Sequence, residues 1–337
     1  MKHTEFQNTK QMWRCLVYFW RNCNKLFISI FAVLLLAVFS TVHVQAQEEA
    51  CDRACLEKFV NIYLDALVAR NPVHLPLTPV ARYTENGIEL KLGDGMWGPV
   101  TELGSYKFYF ADPHAGQVGF FGSLLEHGHP ALLGLRLKVM ERRISEIEAF
   151  IIRSTARGTF SSIENLKVPP IFLQPLTPAQ QRPREELIRV ANSYFEGLVN
   201  GTDTATPFAD NCTRVENGMV TANNPATDNA MWKMTCRQQF AAGLTRVITG
   251  IEERRFPVVD EERGLVYGMV RFDHHGRNKT IVWNDGTVHP VNTPFDEPFS
   301  FQIGELFRIQ DGKIQHIEAL VFPVPYKMPT GWIDIKK

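Results

Sequence analysis

The chain carries the same sequence unit twice, and this repeat constrains its fold more than any other feature. Residues 57–87 align with residues 188–218 without a gap, and two later blocks recur in the same order. The aligned positions include Tyr63 with Tyr194, Glu85-Asn86-Gly87 with Glu216-Asn217-Gly218, residues 112–118 with 260–266, and residues 144–149 with 314–319. The second unit is longer, and the last of its insertions lies between residues 275 and 314. Such a repeat predicts two related domains that share one fold.

Each unit opens with a helical pattern and continues with strands. Apolar residues recur three and four positions apart from Leu56 to Leu67 and from Leu187 to Leu198, as one buried helix face requires. The two Asn-Gly pairs predict tight hairpin turns, because these residues tolerate a positive φ. Later strands are predicted by the runs at 117–125, 132–139, 265–272 and 299–309.

The first fifty residues predict an export signal. A basic leader precedes an uncharged apolar run from Leu26 to Val42, and Val44-Gln45-Ala46 offers a cleavage site, so residues 1–46 are the expected signal peptide. An uncleaved anchor is the alternative, since the run approaches the roughly 17 to 25 residues that span a bilayer. A start at Met12 would leave a shorter leader. The expected location is secreted or periplasmic, without stable membrane insertion after cleavage.

The rest of the chain divides at a proline-rich segment. We expect a first domain over 51–155, a linker over 156–183, a second domain over 184–326 and a C-terminal tail over 327–337. The linker resists regular structure because it contains Pro169, Pro170, Pro175, Pro178 and Pro183.

Charge and motifs exclude several classes of function. Lysine and arginine number 36 and the acidic residues also number 36, so no net field attracts nucleic acid, and no nucleic-acid partner is expected. The chain has no Gly-x-Ser-x-Gly elbow, phosphate loop or dinucleotide fingerprint. Serine hydrolase, kinase and nicotinamide chemistry therefore lack support, and no cofactor is expected.

Four cysteines follow the leader, and their even number in an oxidising compartment predicts two disulfides. Three connectivities are possible, and the local pairs Cys51–Cys55 and Cys212–Cys236 are favoured because each lies within one half. Zinc is the alternative, but neither pair has the usual two-residue spacing. No metal site is expected.

The closing segment from Arg308 to Glu318 places an Asp-Gly turn between two strands. With the helix-then-sheet plan of both units, it resembles the nuclear transport factor 2-like superfamily, in particular its SnoaL-like members. The tandem arrangement, with Tyr83-Thr-Glu-Asn-Gly87 and Arg271-Phe-Asp-His274, also resembles a family of exported, largely uncharacterised tandem proteins.

The resemblance implies an α+β fold of two tandem cone-shaped domains. Each would be a curved, mostly antiparallel sheet packed on N-terminal helices, and its open end would admit a small, partly apolar molecule. Many superfamily members dimerise through their sheets, so the tandem would form a pseudo-dimer within the chain.

Candidate catalytic residues follow from strand parity, because alternate residues face opposite sides of a sheet. His274 shares a face with Val270 and Phe272, and an imidazole at such an apolar site suits general base work. Asp273 lies on the other face, and Glu216 is a repeated acid beside a hairpin turn. A solvated strand end and ordinary turn structure are the alternatives for these residues.

Candidate ligand-binding residues are polar or aromatic side chains near the predicted turns and strands. They are Arg214, Asn217, Tyr83, Glu85, Trp97 and Arg255. Trp97 could stack on a ligand or supply core area. Arg255 lies in a charged run, Arg254 to Arg263, that could bind an anion but is more typical of a solvated strand edge or a surface ion-pair network.

These observations lead to a hypothesis of an exported small-molecule enzyme of lyase or isomerase type. Proton transfer in an apolar pocket would need no cofactor, and the second unit is the expected site. The alternative is a non-catalytic tandem module that binds a ligand. Fold-level resemblance does not decide between them.

Overall fold

A computed structural model describes residues 51–153, 163–202 and 205–332. The expected signal peptide lies outside the described residues, as do residues 154–162 and 333–337. The described residues form one compact unit that contains both repeats.

The first repeat consists of one long helix followed by six strands. Asp52 caps the helix by accepting a hydrogen bond from the Cys55 amide, and the predicted apolar face is buried. The elements are α1 (Arg53–Val68), β1 (Leu77–Glu85), β2 (Ile88–Glu89), β3 (Val100–Asp112), β4 (Gln117–Glu126), β5 (His129–Met140) and β6 (Arg143–Arg153). Short 3-10 turns lie at Pro72–His74 and Gly95–Trp97.

The second repeat has the same plan with additional elements. A 3-10 turn (Ile163–Asn165) and α2 (Pro170–Leu173) lie between the repeats. The second repeat contains α3 (Arg184–Asn200), β7 (Phe208–Glu216), β8 (Met219–Ala222), α4 (Ala230–Lys233), α5 (Cys236–Ala242), a 3-10 turn (Leu244–Val247), β9 (Gly250–Asp260), β10 (Leu265–His274), β11 (Thr280–Val282), β12 (Val288–Pro290), β13 (Phe299–Gln310) and β14 (Lys313–Val324).

The two large sheets have matching strand orders, β2-β1-β6-β5-β4-β3 and β8-β7-β14-β13-β10-β9. Within each sheet one pairing is parallel, β1 with β6 and β7 with β14, and the others are antiparallel. Each sheet is therefore mostly antiparallel, as expected, but its one parallel pairing, which was not expected, makes it mixed. The helices also differ from the expectation, because α4 and α5 follow β8 instead of preceding the sheet. The four predicted strand runs and both Asn-Gly turns are confirmed.

Each sheet packs one face on its own helix and the other face on the other sheet. Separate buried clusters form around α1 and α3, and a third cluster combines side chains of both sheets. Tyr267 of the second sheet lies against Phe110 and Phe121 of the first, with ring centroids 5.1 and 5.5 Å apart. Because side chains alternate along each strand, each sheet has two apolar faces, one packed on its own helix and one packed on the other sheet.

Ion pairs at equivalent positions of the two repeats join them reciprocally. Arg53, the first residue of α1, pairs with Asp260 at 2.6 Å, and Arg184, the first residue of α3, pairs with Asp112 at 2.5 Å. Both aspartates are almost fully buried. The repeated Asp at 112 and 260 therefore joins each strand end to the opposite repeat, as an isologous interface requires.

The predicted disulfides are confirmed, Cys51 with Cys55 and Cys212 with Cys236. The second one joins β7 to the start of α5. Part of the expected linker is packed between the sheets, since Phe172 is fully buried and its ring centroid lies 5.1 Å from that of Phe108. Within the described ranges, no helix combines the length and the apolar character needed to cross a membrane.

Candidate active site

The second repeat encloses a cavity of about 180 Å³ between its sheet, α3 and the turn at Leu244–Val247. This is smaller than the roughly 300 to 1,000 Å³ of ordinary ligand pockets, so the cavity suits a compact molecule. The buried part of the wall is formed by Tyr194, Leu198, Thr245, Phe272, His274, Ile303, Glu305 and Ala319. The more exposed part includes Arg214, Glu216, Leu244, Val247, Ile248, Phe295, Phe301 and Val321.

Glu305 is the buried carboxyl group of this cavity. It lies on β13 between Ile303 and Phe307, which face the same side of the sheet, and its exposed fraction is 3 %. Its Oε2 has no hydrogen-bond partner among the described residues. Burial raises the pKa of Glu305 to about 8, although the positive charge of Arg214 opposes this shift. The carboxyl is therefore mainly protonated at neutral pH and can donate a proton.

Arg214, Glu216 and Tyr194 form a polar group beside Glu305. The Arg214 guanidinium lies 3.0 Å from Glu216, and its Nε also donates to the Thr221 hydroxyl at 3.2 Å. Burial alone would lower the pKa of Arg214, but neighbouring Tyr194, Glu216 and Glu305 raise it above its ordinary value. Arg214 thus stays charged and can stabilise a carboxylate nearby.

Strand pairing explains why these acids meet. Glu216 on β7 lies opposite Ala319 on β14, and Ala319 lies opposite Glu305 on β13. The two acids therefore belong to one row across the sheet, and their Cα atoms lie two strands or roughly 10 Å apart. A small ligand of the cavity can contact both.

His274 lies in the same cavity, on the face that parity predicted. Its ring stacks on Phe299 with centroids 4.6 Å apart and planes 3° from parallel, and Phe295 and Phe301 also contact it. Burial lowers the pKa of His274 to about 4, so the imidazole is neutral at physiological pH. Because aromatic rings surround it, His274 contributes apolar surface to the cavity wall as well as a possible base.

Asp273 lies on the opposite face of β10, away from His274. Its carboxylate accepts hydrogen bonds from Arg271 Nε at 2.9 Å and from the Ser300 hydroxyl at 2.6 Å. Together with His275 it lines a separate polar pocket of about 380 Å³. The structure therefore does not bring the three expected catalytic residues together, because only His274 and Glu216 line the apolar cavity.

Asn217 has a backbone-bridging contact instead of a place in the cavity wall. Its side-chain amide donates to the Val321 carbonyl at 2.9 Å, and its Oδ1 accepts from the Val321 amide at 2.8 Å. Asn86 makes the equivalent pair of hydrogen bonds with Ile151. The repeated asparagine thus joins each hairpin turn to the last strand of its sheet.

In the first repeat, the three candidate residues contact other buried residues. Tyr83 donates to Glu85 at 2.9 Å, and Glu85 also accepts from the Met96 amide at 2.7 Å. Trp97 is 1 % exposed and packs its ring edge-on against Tyr63, 5.3 Å between centroids. Tyr83, Glu85 and Trp97 are therefore core residues in this structure.

Polar positions of the second cavity are changed in the first repeat. Glu126 replaces His274 and pairs with Arg153 at 2.5 Å. Leu135 takes the position of Glu305, because Leu135 lies opposite Ala149 as Glu305 lies opposite Ala319. The first repeat thus lacks the buried acid.

Arg255 lies at the contact between the sheets, outside the cavity wall. It pairs with buried Glu148 at 2.6 Å, and Trp332 packs nearby while donating to the Thr84 hydroxyl at 2.8 Å. The charged run was expected to be a solvated edge. That expectation fails for Arg255 and Asp260, because both side chains bond to residues of the first repeat, and an irregularity in β9 between them puts these residues, five positions apart, on the same face.

Glu305 was missing from the sequence-based candidates. The signal was present in the predicted strand 299–309, where Phe301, Ile303, Phe307 and Ile309 all occupy odd-numbered positions. Glu305 occupies the same parity as these four apolar residues, and a charged residue at a core position is informative. No group of three or more metal-ligating side chains occurs within the described parts of the chain.

A family model described as a domain of unknown function (DUF8021) matches residues 180–321, which begin just before α3 and end within β14. No curated protein matches the chain. The chain is similar to the solved structure of AusH from Aspergillus nidulans, with 11 % identity, 42 % of this chain and 86 % of that chain covered, and a TM-score of 0.27. It is also similar to a provisionally named isomerase from Rhodopseudomonas palustris, with 13 % identity, coverage of 42 % and 91 %, and a TM-score of 0.24.

Proposed function

We propose that the chain is an exported small-molecule enzyme of lyase or isomerase type whose site is the cavity of the second repeat. The observation that carries the proposal is Glu305, a buried acid with a carboxyl oxygen that has no partner in the described structure. A buried polar group costs free energy unless it is satisfied, so a ligand that bonds to Glu305 would be stabilised there.

The arrangement supports acid–base chemistry without a cofactor. Protonated Glu305 donates to an oxygen of the bound molecule, and Arg214 stabilises the carboxylate that remains. Glu216, in the same row of the sheet, is the residue that we propose accepts a proton from carbon. The apolar wall excludes water, which strengthens these electrostatic interactions.

Proton exchange into small cyclic ketones tests this proposal. The protein would be incubated with cyclohexanone and 2-cyclohexen-1-one in D₂O, and deuterium uptake next to the carbonyl would be followed by NMR. The wild-type protein should exchange at least about 100-fold faster than Glu305→Gln, the usual scale of one general acid–base group.

Glu318→Gln is the matched control. Glu318 is also buried, and burial raises its pKa to about 7, but it faces the first repeat and accepts a hydrogen bond from Tyr106 at 2.7 Å. It should keep the wild-type exchange rate. Equal rates for the wild type and Glu305→Gln would refute proton transfer at this site.

A non-catalytic ligand-binding module is the second candidate. It is favoured by the stacking of His274 on Phe299, which places the imidazole in an apolar wall with a pKa well below its usual value. Native mass spectrometry that finds a retained, chemically unchanged ligand would favour this function.

Export is proposed from the two disulfides, because such bonds persist mainly in oxidising compartments. N-terminal sequencing of the protein from the culture medium or periplasm should begin after Ala46. Recovery of the full-length chain from the cytoplasm alone would contradict export.

A further inference from the structure

The insertion of the second repeat changes the connection between two neighbouring strands. In the first repeat, the turn His127-Gly128 joins β4 directly to β5. In the second repeat, residues 275–298 separate β10 from β13 and include the β11–β12 hairpin. Because the surrounding sheets match, this segment belongs to the second repeat alone.

The hairpin is fixed to the wall of the cavity. The Asn284 amide donates to the Ala242 carbonyl at 3.0 Å, and Arg246 donates to the Val282 carbonyl and to the Asn284 side chain. Arg246 belongs to the turn Leu244–Val247, and other residues of this turn line the cavity. The insertion and this wall are therefore one connected structure.

After the hairpin, the insertion places Phe295 in the cavity wall. The Phe295 ring lies 5.2 Å from the His274 ring and 6.3 Å from Phe301, between centroids. Phe295 is partly exposed, whereas Glu305 is 3 % exposed. Of these two residues of the cavity wall, Phe295 is thus the more exposed to solvent.

The volume of the cavity limits the size of the ligand that it can hold. A cavity of about 150 Å³ with apolar walls accommodates benzene. The cavity of about 180 Å³ therefore has room for one six-membered ring with a small substituent. A second fused ring would need the space that the Phe295 side chain fills.

We infer that Phe295 is a specificity-determining residue that restricts the site to single-ring molecules with an oxygen substituent. The inference rests on the proposed function for the position of the oxygen at Glu305. To the proposed function, the inference adds a limit on the size of the ligand and the residue that determines this limit. The first repeat has no residue equivalent to Phe295, because only the two-residue turn His127-Gly128 connects its strands β4 and β5.

Calorimetric titration with phenol and 2-naphthol tests this inference. The wild-type protein should bind phenol more tightly than 2-naphthol. Phe295→Ala should raise the affinity for 2-naphthol relative to phenol by at least about tenfold, as expected when a pocket gains room for an apolar group. Phe295→Leu, a smaller change for the fold, should shift the ratio in the same direction.

Phe256→Ala is the matched control. Phe256 is also a partly buried aromatic residue of the second repeat, where its ring contacts Phe195, but it does not line the cavity. Its removal should leave the ratio of the two affinities unchanged. The inference is overturned if both Phe295 variants keep the wild-type ratio, if Phe256→Ala shifts it equally, or if no variant binds either ring.

This outcome is separable from that of the ketone exchange. A changed ring preference together with exchange that does not depend on Glu305 would support the size limit and reject proton transfer. Exchange that depends on Glu305 with an unchanged ring preference would support proton transfer and reject the size limit.

Discussion

Single residues separate the chemistry of the second repeat from the structural role of the first. Tyr194 and Glu216 have counterparts in Tyr63 and Glu85, but Glu305 and His274 are replaced by Leu135 and Glu126. Trp97 is buried in the core of the first repeat, and the second repeat has a cavity lined by Glu305 and His274. The fold is shared, and the buried acid is not.

The buried acid predicts a specific pH dependence of stability. The ordinary pKa of a glutamate is 4.5, and that of Glu305 in the folded chain is raised to about 8. Below pH 4.5 the Glu305 carboxyl is protonated in both the folded and the unfolded chain. Between pH 4.5 and 8 only the unfolded chain loses this proton, so the wild type loses stability as the pH rises. Glu305→Gln should therefore gain about 3 to 5 kcal/mol relative to the wild type between pH 4 and 8.

Chemical denaturation at several pH values measures this difference. Glu318→Gln is the comparison, because burial raises the pKa of Glu318 to about 7, so its curve should diverge from that of the wild type over a narrower pH range that ends about one unit lower. A pH-independent difference between the wild type and Glu305→Gln would contradict the raised pKa.

Asn217 predicts a residue-level effect on stability. Asn217→Gly keeps the positive φ of 47° accessible but removes both hydrogen bonds to Val321, and should lower the free energy of unfolding by about 1 to 3 kcal/mol. Asn86→Gly should do the same in the first repeat. Wild-type denaturation midpoints for both variants would contradict the bridging role.

At the scale of elements, the sequence predicted what depends on local pattern. Apolar periodicity predicted α1 and α3, and alternation predicted β4, β5, β10 and β13. The parallel pairings were not predictable from these patterns, because a pairing of distant strands depends on the whole topology. Glu305 and Glu216 meet only through those pairings, so the candidate site was found in part.

The disulfide between β7 and α5 supports an element-scale prediction. It closes a loop with a sequence separation of 24, whereas Cys51 and Cys55 are separated by 4. Replacing both Cys212 and Cys236 by alanine should cost about 3 kcal/mol in the chain-entropy description, and replacing Cys51 and Cys55 should cost less. Calorimetric melting of the two double variants measures the difference, and the opposite order would contradict it.

At the scale of the whole molecule, the two repeats share a buried interface with reciprocal contacts. Arg53–Asp260 and Arg184–Asp112 are the same pair made in both directions, and each aspartate also accepts an amide hydrogen bond in its own turn. A pseudo-dimer within the chain, with the first repeat supporting the second, is the arrangement that we propose from these contacts.

Double-mutant cycles test the reciprocity. Asp260→Asn and Asp112→Asn should each lower the free energy of unfolding by about 3 kcal/mol, because a buried pair loses one partner. One cycle combines Asp260→Asn with Arg53→Gln, and the other combines Asp112→Asn with Arg184→Gln. The two cycles should give stabilising coupling energies of similar size. A coupling in one pair and none in the other would contradict a reciprocal interface.

The central claim is that the ligand site lies in the second repeat and not in the first. Methyl NMR during titration with phenol tests this claim most directly, because Ala319 and Ala149 occupy equivalent positions in the two sheets. Phenol should shift the methyl signals of Ala319, Ile303 and Val321 and leave those of Ala149 and Ile151 unchanged. Shifts at Ala149 and Ile151 without shifts at Ala319 would contradict the account.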